Sequence, residues 1–162
     1  MVERRRNIAH ALAVIVAVLV ADQLSKLWIL DRFAAVGDFV QVTDFFNIVL
    51  VANRGVSFGL FNDGAAVNAI IFSSLAAAIV VALVVWLLRA SGRVLPAAIG
   101  LVIGGAVGNV IDRLRLGAVV DFLDFHLDAW HWPAFNVADA AICIGVAVMI
   151  IDGLISGREA AN

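Results

Sequence analysis

Four apolar stretches, each long enough to bridge a bilayer, decide what this 162-residue chain can fold into. A crossing needs about 20 apolar residues, and such stretches run over about 8–30, 65–88, 94–111 and 135–155. Hydrocarbon offers no partners to backbone N–H and C=O groups, so spans of this length must be helices whose hydrogen bonds close internally. The composition agrees, with 64% of residues hydrophobic and 15% charged, where soluble domains carry roughly 25% charge. What remains is too short for a soluble domain. The expected organisation is one membrane domain, 1–162, with two segments outside the spans at about 31–64 and 113–134.

The first stretch follows Arg4, Arg5 and Arg6, as a secretory signal peptide would. Leu19 stands where a cleavable signal has a small residue, and apolar residues resume at Leu24, so an uncleaved span is expected. Four spans put both termini on one side. Arg4, Arg5, Arg6, Arg89, Arg93 and Arg158 then share short segments there, and the positive-inside rule makes that side the cytoplasm. The two outer segments face the other compartment. In the first, residues 39–42 and 47–52 are strand-like and Asn53-Arg54-Gly55 is a turn signal, so a small sheet is expected. The second carries Trp130, Trp132 and Phe135, aromatic residues suited to the headgroup level, with Pro133 ending any local helix. Gly100, Gly104 and Gly108 recur every four residues in the third span, which lets another helix approach its backbone closely.

Several function classes fall away. A net charge of -2 leaves no basic field for nucleic acid. Cys143 has no partner, so no intramolecular disulfide is available and a packing role is expected. His126 and His131 are five apart with no cysteine nearby, which is no metal-ligand pattern, and no metal is expected. Neither a nucleophile elbow nor a phosphate-binding glycine loop is present.

Ionisable groups beside a span are costly and usually functional, and here they gather at the outer boundary. Asp22 and Lys26 lie one helical turn apart, which suits a snorkelling ion pair or a site role. Lys26 is also the one lysine among eleven Lys and Arg residues. Asn109, Asp112 and Arg113 share the outer end of the third span, as a helix-end network or as support for a site. Asn136 is placed to cap the fourth helix, with Asp139 in its first turn. Asp121, Asp124 and Asp128 follow at helical spacing, as on the solvated face of a surface helix. Two carboxyls that share one proton can activate water and protonate a leaving nitrogen. Aspartates are therefore the chemistry this sequence supplies, without naming a substrate.

The runs Asp22-Gln23-Leu24-Ser25-Lys26, Asn53-Arg54-Gly55-Val56-Ser57-Phe58-Gly59, Gly108-Asn109-Val110-Ile111-Asp112-Arg113, Val120-Asp121-Phe122-Leu123-Asp124-Phe125 and Phe135-Asn136-Val137-Ala138-Asp139 resemble, in order, the signature blocks of lipoprotein signal peptidases, also called signal peptidase II. Ser57 departs from the alanine more often found there. The resemblance implies an aspartic endopeptidase of the bacterial inner membrane that removes prolipoprotein signal peptides before a diacylglyceryl-modified cysteine. It implies Asp121 and Asp139 as the catalytic pair, with Asp22, Lys26, Asn53, Gly55, Asn109, Asp112, Arg113 and Asn136 lining or supporting the site. No metal or organic cofactor is implied, and the partners are lipid-modified prolipoproteins and membrane lipids. The expected fold is an all-α, four-helix membrane bundle with a small periplasmic β-sheet, or cradle, and a periplasmic surface helix. The chain is expected to act as a monomer, with both termini cytoplasmic and the active site at the periplasmic face. Two other classes stay open on the residues alone: a proton-coupled transporter relaying charge through Asp22, Lys26, Asp112 and Asp139, and a scaffold binding through its glycine face.

Overall fold

The structure, a computed structural model, describes residues 2–55 and 65–161, and the side chains of 2–55 and 67–155. Four long helices carry the apolar stretches: α1 (Val2–Arg32), α2 (Ala65–Leu87), α3 (Val94–Leu116) and α4 (Val137–Ala161). All four contain windows apolar enough to cross a membrane. At about 1.5 Å per residue, the 31 residues of α1 reach well beyond a hydrocarbon layer of about 30 Å. α3 is the hub, packing on α1, α2 and α4. Where it meets its neighbours, glycine replaces side chains. A Cβ on Gly100 would lie 2.8 Å from the Ala11 carbonyl of α1, one on Gly104 2.9 Å from Val18, and one on Gly108 2.6 Å from the Asp22 carboxylate. The glycine face read from the sequence is thus the α1 contact. Gly105 meets the Ala138 carbonyl of α4, and Gly145 of α4 would set a Cβ 2.7 Å from the Ala98 carbonyl of α3.

A four-stranded antiparallel sheet lies beside the bundle in the order β1 (Phe39–Thr43), β2 (Phe46–Asn53), β3 (Val119–Leu127) and β4 (Trp130–His131). The first outer segment forms the expected strands. The second differs from expectation, because residues 119–127 are a strand and not a surface helix. Gly117, at φ 71°, ends α3 in the left-handed conformation that glycine adopts freely. Val119, Val120, Phe122 and Phe125 then favour a pleated surface, and pairing with β2 decides the matter. Spacing also changes meaning: three residues apart on a strand, Asp121 and Asp124 point to opposite faces. The turn into β4 holds Asp128 at φ 51°.

Ile29 of α1, Phe33 just past its end, Leu50 of β2 and Val120 and Phe122 of β3 form a buried apolar cluster that fixes the sheet to the C-terminal end of α1. Cys143 is exposed, so its expected packing role is corrected: it faces out of the bundle. Ser57 and the rest of 56–64 lie outside the described residues. The glycine contacts carry a prediction. Gly105→Val should lower stability by about 1–3 kcal/mol through overpacking, read as an earlier unfolding midpoint in detergent. Gly153→Ala, where a Cβ meets nothing within 4 Å, should keep or raise it, since alanine favours helix by about 1 kcal/mol.

Candidate active site

Asn136 organises the start of α4. Its side-chain Oδ1 accepts the N–H of Asp139 at 2.9 Å, and Asp139 Oδ2 reaches back to the Asn136 N–H at 3.3 Å. Reciprocal capping of this kind satisfies two donors that a helix start leaves unpaired. The Asn136 amide nitrogen is then left for other partners, and Nδ2 donates to Asp121 Oδ1 at 2.6 Å. Asp121, on β3, takes a second bond on Oδ2 from Asn53 Nδ2 of β2 at 2.9 Å. Asn53 is itself held by a turn in which its Oδ1 accepts the N–H of Gly55 at 3.0 Å. Gly55 has φ 139° and its Cβ position would overlap the Phe72 ring at 2.5 Å, so both conformation and space call for glycine.

Asp139 takes a further bond on Oδ1 from Asn109 Nδ2 at 2.7 Å. Asn109 Oδ1 in turn accepts from Asn136 Nδ2 at 3.3 Å and from Lys26 Nζ at 3.1 Å. One asparagine, Asn136, therefore bonds both carboxylates, Asp121 through its side chain and Asp139 through its main chain.

Behind this pair lies a second layer. Lys26 Nζ sits 2.9 Å from Asp22 Oδ2 and 2.8 Å from Asp112 Oδ2, so with Asn109 its three donors are all used. Asp22, Lys26 and Asp112 are 0%, 2% and 2% exposed, which rules out the snorkelling ion pair that the sequence left open. Each carboxylate also holds a main-chain N–H: Asp22 Oδ1 that of Ala138 at 3.0 Å, and Asp112 Oδ2 that of Val120 at 3.2 Å. Ala138 immediately precedes Asp139, and Val120 immediately precedes Asp121. Gln23, which sequence reasoning did not single out, donates from Nε2 to Asp22 Oδ2 and to Asp112 Oδ1, both at 3.1 Å. A glutamine inside an apolar span was the signal available.

Among the described residues Arg113 makes no carboxylate bond. Its Nη1 reaches the Asn109 carbonyl at 3.5 Å, and its guanidinium lies 5.5 Å from the centre of the Phe72 ring, a cation–π distance. Asp124 is not part of this constellation. It accepts from Asn47 Nδ2 at 2.9 Å and lies 2.9 Å from His131 Nδ1, clipping β2, β3 and β4 together on the other face. His126 stacks on His131 at 4.9 Å between ring centres. No group of three or more metal-ligating side chains occurs among the described residues.

The two β3 aspartates are tuned in opposite directions. Burial pushes Asp121 up to about 6, with the negative charge of Asp139 adding to the rise and hydrogen bonds from Asn53 and Asn136 opposing it. Burial also acts to raise Asp124, yet bonding with His131 and Asn47 outweighs it and holds that carboxyl below the ordinary range. Asp121 can therefore keep its proton up to a pH of about 6, well above the ordinary carboxyl range, beside a second carboxyl.

Comparison with known proteins places this geometry among relatives. A family model described as signal peptidase (SPase) II matches residues 14–155. The chain is similar to the lipoprotein signal peptidase of Ralstonia nicotianae, 50% identical over 138 residues that cover 84% of this chain and 79% of the relative. It is also similar to that of Shewanella halifaxensis, 44% identical over 148 residues covering 90% and 86%. A solved bacterial membrane enzyme superposes with a TM-score of 0.79 at 31% identity, over 92% of this chain and 90% of the other. A second such structure gives 0.76 at 32% identity, over 88% and 90%.

The hydrogen bonds fix the sign of two pH effects. Asn53→Leu removes a donor that favours the charged carboxylate, so Asp121 should ionise above about 6. Asp139→Asn removes a neighbouring negative charge and should bring that ionisation below the same value. Carboxyl carbon NMR on aspartate-labelled protein, followed across the titration, reads both directly.

Proposed function

This chain belongs to the signal peptidase II family, and from that premise we propose that it cleaves its substrates with an aspartate pair, Asp121 and Asp139. As a member it is a multi-pass bacterial membrane protein and a peptidase that removes signal peptides from prolipoproteins. The finer reading is that cleavage falls immediately before a diacylglyceryl-modified cysteine, at the periplasmic face of the inner membrane, with both termini in the cytoplasm.

The observation that carries the mechanism is Asn136, bonded at once to Asp121 and to the main-chain link with Asp139. It links the two carboxyls, and burial raises the ionisation of Asp121 to about 6. In this reading a water lies between them. One carboxylate takes a proton from that water as its oxygen attacks the scissile carbonyl carbon, forming a tetrahedral intermediate. The protonated carboxyl then gives its proton to the leaving nitrogen as the C–N bond breaks, and the pair again shares one proton.

Asp22, Lys26, Asn53, Gly55, Asn109, Asp112 and Asn136 position the pair. Arg113 lines the site with its guanidinium over the Phe72 ring and free of carboxylate bonds among the described residues, available to a substrate carbonyl. Substrate lipid stays in the bilayer, where each buried methylene contributes about 0.8 kcal/mol, and that remote binding helps to hold the bond in place. A transporter reading loses support because, among the described residues, the buried ionisable side chains gather at one end of the bundle.

The test uses the purified protein with a diacylglyceryl-modified prolipoprotein and its unmodified precursor, following release of the signal peptide. Only the lipidated form should be processed. Asp121→Asn and Asp139→Asn should each slow cleavage by at least roughly a hundredfold, and Asp124→Asn, on the opposite face of β3, much less. Equal losses at the three positions would overturn the pair.

A further inference from the structure

The two aspartates of the proposed pair are carried by different elements, β3 and α4, and the second layer contains matched supports for both. Asp112 holds the N–H before Asp121, and Asp22 holds the N–H before Asp139. Two side chains join these supports: Lys26, which bonds both carboxylates, and Gln23, which does the same. Their contributions differ by oxygen. Lys26 shares Asp112 Oδ2 with the Val120 N–H, whereas Gln23 is the partner of Asp112 Oδ1. Gln23 also reaches the Gly108 carbonyl at 3.4 Å, and Arg115 Nη1 donates to Gln23 Oε1 at 3.3 Å. That outer bond orients the amide, because a carbonyl oxygen turned toward Arg115 leaves the NH₂ directed at the carboxylates.

We propose that Gln23, oriented by Arg115, is a positioning residue for the reaction: it locks the Asp112 carboxylate so that the Val120 N–H, and with it Asp121, stays in register with Asn136 and Asp139. Asp112 is 2% exposed, and a buried carboxylate oxygen left without a donor is costly. Without Gln23, Asp112 turns to recover a partner for Oδ1 and gives up the Val120 N–H. Asp22 keeps Lys26 and Ala138, so the α4 side stays in place while β3 loosens. The reacting pair then loses alignment, although the surfaces that bind substrate are unchanged. Misplacement of this kind lowers turnover far more than affinity.

This inference rests on the aspartate-pair reading, so its test includes a measurement that needs no turnover. In the full chain, Gln23→Met keeps length and removes the donors. It should reduce kcat roughly tenfold with KM little changed, and should shift the Asp121 ionisation upward, as its bonds from Asn53 and Asn136 weaken. Arg115→Gln, at an exposed position that does not threaten folding, should act in the same direction more mildly. In the Gln23→Met background it should add nothing, since the latch is already open.

Loss of kcat with an unmoved Asp121 titration, a rise in KM alone, or full additivity of the two substitutions would each overturn the proposal. Should Gln23→Met fail to fold, Arg115→Gln with unaltered titration and kcat would overturn it as well. The titration is read on resting protein, so failure of the aspartate pair itself shows separately, as full activity of Asp121→Asn.

Discussion

One buried ammonium holds one end of this molecule together. Lys26 lies between Asp22, one turn away on α1, and Asp112 on α3, and those carboxylates grip the start of α4 and the start of β3. Burying three charges is expensive, and only close geometry with every donor and acceptor used offsets the cost. Here each Lys26 donor has an acceptor and each carboxylate also takes a main-chain N–H. Removing Lys26 would leave Asp22 and Asp112 buried without a counter-charge, which in buried pairs costs about 3–5 kcal/mol. Such a centre enforces one arrangement of four elements, where apolar helix faces alone would allow many.

Close backbone approach makes the centre possible. Gly108 lies against Asp22, where any Cβ would displace the carboxylate, and Gly100 and Gly104 bring α1 down onto α3 along the turns that precede it. Lipid gives helices no hydrophobic reason to associate, so small residues and polar contacts must supply the attraction. The glycine face and the ionic centre are in that sense one device. The first sets how near the helices come, and the second uses that nearness to orient side chains.

Much of this was legible in the sequence, because the bilayer limits the choices severely. Span positions follow from apolar length, and the strands around Val40 and Val49 follow from β-branched runs before a glycine turn. Asp121, Asp139, Asn53, Asn109 and Asn136 were named, and the structure joins them by hydrogen bonds. Three things were not legible. Asp121, Asp124 and Asp128 have helical spacing, and only pairing with β2 reveals a strand whose odd and even residues part company. The Asp22–Lys26 pair suits snorkelling as well as burial until Asp112, 86 positions further along, is brought to the same nitrogen. Gln23 shows in the sequence only as a polar residue inside an apolar span. Its role arises where α1 crosses α3, and a single sequence does not record that crossing.

The two carboxyls also show how one site can hold different electrostatic environments a few bonds apart. Asp139 sits in the first turn of a 25-residue helix, with the Asn109 amide and the Asn136 main chain as its donors. Asp121 lies on a strand beside buried Val119, Val120 and Phe122, where loss of water favours the protonated form. Bonds from Asn53 and Asn136 limit that effect, since both donate to the charged carboxylate and keep the ionisation from rising further. Two asparagines thus do more than fix geometry. A donor with a positive charge in their place would favour the ionised form of Asp121 more strongly, whereas an apolar residue would let burial favour the protonated form further. A neutral amide is the side chain that positions a carboxyl while leaving its proton available.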